Sequence, residues 1–199
     1  EVALKTINPD LEIIAPVRDQ SFVREEQVAY LQAGNYPMPP SGAKYSINRG
    51  LWGVSIGGKE TLTSADTIPE DAWVLSSGAF DKPQAPQEIV IGFDEGVPVT
   101  INGEELAPVN LIEKLEIIAG AYGIGRGIHL GDTVLDTKGR VAFEAPAAEV
   151  LLTAHRELEK LVLSSLQMSI KEAVSLHYGN FVHEGKQLDP VCRDIEALL

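Results

Sequence analysis

The sequence predicts an α+β fold, in which an antiparallel sheet precedes a helical carboxy-terminal third and follows a leftover strand and helix of an α/β domain. Short apolar runs separated by the turn signals Asp94-Glu95-Gly96 and Asn102-Gly103 are typical of antiparallel strands. From Pro146 onward, apolar residues recur at helical spacing. A length of 199 residues, 44% of them hydrophobic, suits one large domain or two small ones.

The first element is a strand and helix unit. The run from Leu11 to Ala15 predicts a strand, and residues 21–33 predict a helix that ends at Gly34. A parallel sheet needs several such units to bury both faces, and residues before Glu1 would have to supply them. We therefore expect residues 1–34 to be the remnant of an α/β domain and residues 35–199 to form a second domain, joined through the Pro- and Gly-rich segment 35–41.

The middle of the chain predicts strands and one helix. Residues 88–93 and 97–101 form a β-hairpin pattern, in which Pro98 favours an edge position because proline cannot donate a ladder hydrogen bond. Apolar residues at helical spacing predict an amphipathic helix from Pro108 to Gly120. Two further strands are expected at residues 127–136 and 139–144, with a turn at residues 137–139.

The carboxy-terminal third predicts three helices. Apolar stripes run from Pro146 to about His177, and Ser164 with Gln167 forms a capping-box pattern. This pattern divides the stretch into two helices near Leu163. A last helix is expected over residues 189–199.

The charge balance argues against several kinds of partner. The 29 acidic and 16 basic side chains give a formal charge of -13, which would repel a nucleic-acid backbone or an anionic membrane. No apolar run is long enough for a membrane span. Cys192 is the sole cysteine, which fits a reducing compartment, and we expect the protein in the cytoplasm.

Two glycine-rich segments invite a nucleotide-binding interpretation that the residues do not support. The run from Gly53 to Lys59 nearly matches a phosphate-binding loop, but Glu60 stands where the magnesium-binding hydroxyl should be. Residues 123–127 resemble a dinucleotide fingerprint without its third glycine, and we interpret them as a tight loop.

The histidines predict no reaction. His155 and His177 lie on apolar helical stripes and are interpreted as structural. The spacing of His177, His183 and Cys192 matches no common zinc pattern, so we expect no metal site. No Ser-His-Asp order is visible either, and no catalytic residue is assigned.

One segment resembles a known enzyme family. The run Tyr45-Ser46-Ile47-Asn48-Arg49-Gly50-Leu51-Trp52-Gly53-Val54-Ser55 is similar to the argininosuccinate synthase pattern Tyr-Ser-Ile-Asp, two residues, Leu-Trp-Gly-x-Ser. The similarity continues through residues 14–18, 96–99, 123–126, 138–140, 143–146 and 151–155. It covers nearly the whole chain in order.

The resemblance implies an ATP-dependent carbon–nitrogen ligase of arginine biosynthesis. The family adenylates citrulline with ATP and Mg²⁺, and aspartate then displaces AMP to give argininosuccinate. Its ATP loop and aspartate segment are not among these 199 residues, and a tail that helps a homotetramer assemble would follow Leu199. We therefore expect residues 1–34 to belong to the ATP-binding domain, and this chain alone to bind no ATP and to be inactive.

The resemblance also implies substrate-binding residues. Two citrulline-contacting serines of the family fall on Ser46 and Ser55. Gly131 stands where the family has a glutamate facing citrulline, and Phe143 where it has a tyrosine. Asp132 could replace the glutamate, or the substrate could be an N-acylated citrulline, since a buried ammonium without an anionic partner is costly.

A different class of function is the alternative. The same fold could serve as a stand-alone or degenerate binding or assembly module, in which Ser46 and Ser55 only shape a loop. The two hypotheses differ in whether an ATP-binding sequence precedes Glu1 in the gene.

Overall fold

The computed structural model describes residues 1–37, 44–132 and 138–198 and confirms the α+β class. Its helices are α1 (Val2–Ile7), α2 (Pro16–Asp19), α3 (Arg24–Ala33), α4 (Pro108–Gly120), α5 (Pro146–Val162), α6 (Ser165–His183) and α7 (Pro190–Leu198). Its strands are β1 (Ser46–Gly50), β2 (Gly53–Gly57), β3 (Ile91–Asp94), β4 (Val97–Ile101), β5 (Glu104–Glu105), β6 (Arg126–Asp132) and β7 (Lys138–Glu144). The chain forms two compact units, Ala43–Leu163 and Glu1–Gly42 with Ser164–Leu199.

The larger sheet has four antiparallel strands in the order β1-β2-β7-β6. Residues 51 and 52 join β1 to β2 in a tight hairpin. The next neighbour of β2 is β7, which lies far along the chain, with Ser55 directly opposite Phe143. This non-local pairing brings the amino-terminal and carboxy-terminal strands of the unit into one surface.

The smaller sheet has the order β3-β4-β5 and two tight turns. Glu95 and Gly96 have φ angles of 48° and 83°, and Asn102 and Gly103 have 52° and 81°. Positive φ at both turn residues is typical of type I′ hairpins, so both predicted turns are confirmed. The edge position expected for Pro98 is only partly right, because β4 is the middle strand although β5 pairs with it only at residues 100 and 101.

Two clusters of apolar side chains hold the larger unit together. Val54, Ile56 and Ala142 on one face of the four-stranded sheet pack against Ile68 and Ala72 of the segment that follows β2. The second cluster joins β4, α4 and α5, whose buried members are Ile101, Leu111, Ile112, Leu115, Ala147 and Leu151. The periodicity that predicted α4 is therefore the periodicity of its buried face.

The division of the carboxy-terminal helices is confirmed. The Ser164 side chain accepts a hydrogen bond from the Gln167 backbone N–H at 3.3 Å, and the Gln167 side chain accepts one from the Ser164 N–H at 2.9 Å. This capping box satisfies N–H groups that a helix start leaves without partners.

The amino-terminal expectation needs correction. Residues 11–15 form no strand, and the following helix begins at Arg24 instead of residue 21. A strand is stable only beside a partner strand, and no partner for this run lies among the described residues. The predicted linker at residues 35–41 and the predicted turn at residues 137–139 lie partly outside the described residues.

Candidate functional site

The two serines singled out by the sequence lie on adjacent strands. Ser46 of β1 is opposite Gly57 of β2, and Asn48 of β1 is opposite Ser55 of β2. Side chains of residues opposite each other in an antiparallel pair project to the same side of the sheet, and so do those of residues two apart. Ser46, Asn48 and Ser55 therefore share one face, which we call the serine face.

The serine face continues across the sheet. Phe143 of β7 lies between Ser55 on one side and Gly127 of β6 on the other. Every second residue of β6 and β7 then belongs to the same face. Its members are Ser46, Asn48 and Gly50 of β1, Gly53, Ser55 and Gly57 of β2, Gly139, Val141 and Phe143 of β7, and Gly127, His129 and Gly131 of β6.

Ser46, Ser55, Gly131 and Phe143 thus share one face, on which Ser55 and Phe143 are neighbours while Ser46 and Gly131 lie on opposite edge strands. Asp132 is one residue beyond Gly131 and projects to the opposite face, where its Oδ1 lies 2.6 Å from Nζ of Lys138. An aspartate on that face cannot replace a carboxylate on the serine face without a register shift. The geometry therefore disfavours the suggestion that Asp132 takes the place of the family's citrulline-facing glutamate.

Two rings lie close to glycines on the serine face. A Cβ atom at Gly127 would lie 2.3 Å from Cζ of Phe143, and one at Gly131 would lie 2.6 Å from Nε2 of His129. Both contacts are too close for a real side chain. The His129 imidazole thus occupies the space into which a side chain at position 131 would extend.

Charged side chains of the four strands all project away from the serine face. They share the opposite face of the sheet with the buried apolar residues Val54, Ile56 and Ala142. The charged residues are Arg49, Arg126, Asp132, Lys138, Arg140 and Glu144. Arg140, for example, donates to the backbone carbonyls of Glu60 and Asp66 at 2.9 and 2.8 Å. Arg126, Arg140 and Glu144 therefore anchor the segment that follows β2 against the face opposite the serines.

Glu144 is the centre of that anchoring. Its carboxylate is 1% exposed and accepts hydrogen bonds from the backbone N–H groups of Val74, Leu75 and Ser76 at 2.6, 3.0 and 2.9 Å, and from the Ser76 hydroxyl. Arg126 donates to the same hydroxyl and forms an ion pair of 2.7 Å with Glu70. The network holds the backbone of β7 on which Phe143 is carried.

Tyr45 fixes the start of β1 in a similar way. Its buried hydroxyl donates to Glu60 at 2.5 Å. Burial, with the hydrogen bond to Glu60, raises the pKa of Tyr45 to about 12. The same hydrogen bond lowers the pKa of Glu60 to about 2, so Glu60 is ionised at neutral pH. The residue before Ser46 is therefore held by a charge-assisted hydrogen bond.

The phosphate-loop interpretation fails in the structure. Gly53–Gly57 is strand β2, and a short 3-10 turn, Lys59–Leu62, follows it instead of a helix. Glu60 is committed to Tyr45 and to Lys59, whose Nζ is 3.0 Å away. These residues do not fit ATP or Mg²⁺. The second glycine-rich segment is a tight loop as expected, with φ of 70° and 83° at Gly123 and Gly125.

His155 and His177 lie away from the serine strands, on helices α5 and α6. His155 pairs with Glu159 at 2.9 Å and contacts the Phe93 ring edge-on, which favours a structural role, while His177 is exposed on α6. Within the described ranges, no group of three or more His, Cys, Asp or Glu side chains could hold a metal ion. Over the same residues, no helix has the length and apolar character needed to cross a membrane.

Sequence reasoning missed Asn48 and His129. Strand alternation from Ser46 would have placed Asn48 on the same side, because both lie on one short strand. His129 could not have been found this way, since its position relative to the serines depends on the pairing of β2 with β7.

Comparison with known proteins identifies the family. Residues 45–199 match the family described as the arginosuccinate synthase C-terminal domain. The chain is 40% identical over 200 aligned positions to an argininosuccinate synthase of Methanocaldococcus jannaschii, covering 100% of this chain and 50% of that protein. It is 39% identical over 94% of its length to 47% of the Methanothermobacter thermautotrophicus protein of the same name. It is 37% identical over 100% of its length to 49% of the one from Leuconostoc mesenteroides.

The chain spans about half the length of the curated relatives that it matches. The aligned stretch includes the strands of the serine face and the helices that follow. The chain belongs to the argininosuccinate synthase family.

Proposed function

We propose that this chain is the carboxy-terminal, citrulline-binding portion of an argininosuccinate synthase. The complete protein would join citrulline, or an N-acylated citrulline, to aspartate with ATP in arginine biosynthesis. Residues 35–199 would form its substrate-binding and assembly domain, and residues 1–34 would complete the ATP-binding domain. A cytoplasmic homotetramer is the expected assembly, which light scattering of the complete protein would test.

The observation that carries this proposal is the serine face. Ser46 is exposed and Ser55 is half-buried, and both lie on a face whose described strand positions carry no charge. Two hydroxyls can donate hydrogen bonds to a substrate carboxylate and can also accept them. The face is thus suited to hold the amino-acid end of a citrulline-type substrate.

ATP and Mg²⁺ would be held by the domain that precedes residues 35–199 in the complete protein. ATP and Mg²⁺ would supply the energy for ligation when bound to the preceding domain. What this chain contributes is binding and orientation: the serine hydroxyls fix one end of the substrate, while Tyr45 and Glu144 hold the strands that carry them. Such positioning can account for a large part of catalysis between two bound substrates.

Alanine substitution tests the proposal. Ser46→Ala and Ser55→Ala would be made in the protein expressed from its complete gene, and argininosuccinate formation measured. A hydrogen bond to a charged group contributes about 1.5 to 3 kcal/mol, so kcat/KM should fall by about tenfold to a hundredfold for each variant. Ser175→Ala, at an exposed serine of α6, is the matched control and should have no effect.

The alternative of a binding or assembly module predicts a different result. Such a protein would retain a ligand on the serine face but would form no product even when expressed from its complete gene. Product formation that depends on ATP, aspartate and Ser55 rejects the module. If both alanine variants form product as fast as the unaltered protein, the serine face is not the citrulline site.

A further inference from the structure

Ser46 lies at the open end of an edge strand. It is the first residue of β1, which is an outer strand of the four-stranded sheet. The hairpin at residues 51 and 52 closes the other end of the β1–β2 pair, and the pairing ends at Ser46 and Gly57. Glycine offers no side chain for a cross-strand contact. Strand ends open more readily than strand interiors, so the position of the Ser46 hydroxyl depends on a further restraint.

Tyr45, the residue before Ser46, provides this restraint. Its ring is 7% exposed and belongs to the same buried cluster as Val54 and Ile56, on the face opposite the serines. Its hydroxyl donates a hydrogen bond of 2.5 Å to Oε2 of Glu60. The open end of β1 is therefore fastened to the core at the residue that precedes the serine.

Glu60 is itself held in place by the turn Lys59–Leu62. Its backbone carbonyl accepts a hydrogen bond of 2.9 Å from Nη1 of Arg140, on β7. Within the turn, the Thr61 hydroxyl accepts from the Gly58 N–H at 2.8 Å and donates to the Gly58 carbonyl at 3.0 Å. The acceptor of the Tyr45 hydroxyl is thus part of an ordered turn that is tied to the sheet.

We propose that Tyr45, through its hydrogen bond to Glu60, is a positioning residue for Ser46 and affects substrate binding only through the Ser46 hydroxyl. This inference rests on the proposed function, because it concerns how the same site holds its substrate. The Tyr45 ring projects to the face opposite the serines and does not touch the substrate. Without the hydrogen bond, the end of β1 opens more often, and the Ser46 hydroxyl spends less time where the substrate needs it.

The Tyr45→Phe variant of the protein expressed from its complete gene tests the inference. The substrate would be citrulline, or N-acetylcitrulline if that is the compound turned over. The variant keeps the buried ring and removes only the hydroxyl, and circular dichroism would check that it is folded at the assay temperature. Its KM should rise about threefold to tenfold, the ratio that corresponds to one lost hydrogen bond, while kcat stays within about twofold. An unchanged KM would overturn the inference.

Double variants show whether the effect passes through Ser46. If Tyr45 acts only by placing the Ser46 hydroxyl, Tyr45→Phe should have no further effect on KM once Ser46→Ala has removed that hydroxyl. Ser55 lies within β2 and has strands on both sides, so in the Ser55→Ala background the full increase in KM should remain. Losses that multiply equally in both backgrounds would make Tyr45 a general structural residue and overturn the inference.

Two single variants provide a rescue and a control. Glu60→Gln keeps a carbonyl oxygen that can accept from the Tyr45 hydroxyl, so its KM should stay within about twofold of that of the unaltered protein. A larger loss than in Tyr45→Phe would assign the effect to the charge of Glu60 and overturn the inference. Tyr178→Phe also removes a tyrosine–glutamate hydrogen bond, of 2.7 Å to Glu196, but lies on α6, outside the unit that carries the serines. It should leave KM unchanged.

The serine variants separate this inference from the proposed function. If Ser46→Ala and Ser55→Ala raise KM but Tyr45→Phe does not, the inference fails and the proposed function stands. If neither serine variant raises KM, the serine face is not the substrate site and both fail. An increase in Tyr45→Phe that disappears in the Ser46→Ala background supports both.

Discussion

Replacing Glu144 should weaken the larger unit more than any other single change of a strand carboxylate. Glu144→Ala removes the acceptor of three backbone N–H groups and one hydroxyl, in a position that is 1% exposed. Each buried donor left without a partner costs about 1 to 3 kcal/mol, and water entering the vacated space can satisfy some of the four. We expect a loss of about 3 to 5 kcal/mol in the free energy of unfolding.

Two further variants provide reference values for the loss of unfolding free energy. Glu144→Gln keeps one carbonyl oxygen but turns an amide donor toward N–H donors, so it should lose roughly half as much. Glu105→Ala removes an exposed carboxylate from β5 and should change stability by less than about 0.5 kcal/mol.

Urea denaturation followed by tryptophan fluorescence is the assay. Both tryptophans, Trp52 and Trp73, belong to the unit Ala43–Leu163, so the signal reports that unit. Trp73 also packs against the cluster beside the sheet. A shift in the urea midpoint at constant slope measures the change in stability. If Glu144→Ala unfolds at the same urea concentration as Glu105→Ala, the carboxylate does not hold residues 74–76 and the reasoning is wrong.

Three further outcomes are expected. Because the hydrogen bond from Tyr45 lowers the pKa of Glu60 from 4.5 to about 2, the stability due to this ionised carboxylate is present above pH 4.5 and is lost as the pH falls toward 2. Tyr45→Phe should lower the unfolding midpoint at pH 7 and flatten its decline between pH 4.5 and 2, and a parallel shift at every pH would contradict this. The 199-residue chain alone should show no saturable binding of ATP with Mg²⁺ in calorimetry, whereas micromolar binding would revive residues 53–59 as a nucleotide loop. Amide hydrogen exchange should be faster in α3 than in α4, because α3 has no buried residue among those described, whereas Leu111 and Leu115 of α4 are 0% exposed. Equal protection of the two helices would count against a separate amino-terminal segment.

Local patterns in the sequence were sufficient for most elements. Helix α4, strand β4, both hairpin turns and the cap at Ser164 depend on residues within one or two turns of each other, and all are where the sequence predicted them. The strand expected at residues 11–15 was wrong for this chain because a strand depends on a partner, and no local pattern can provide one.

The sequence by itself determined the fold class, the hairpin of β3 and β4, helix α4, the division of the carboxy-terminal helices and the family, and it named Ser46 and Ser55. Only the tertiary structure decided which side chains meet. The pairing of β2 with β7 joins residues far apart in the chain, and its register places Phe143 beside Ser55, puts His129 and Gly131 on the same face as the serines, and turns Asp132 away. Alternation within a strand is local, but the register between distant strands is set by packing of the buried face, where Val54, Ile56 and Ala142 must all point inward. A shift of one residue would exchange the two faces, so the composition of the serine face is a property of the folded sheet.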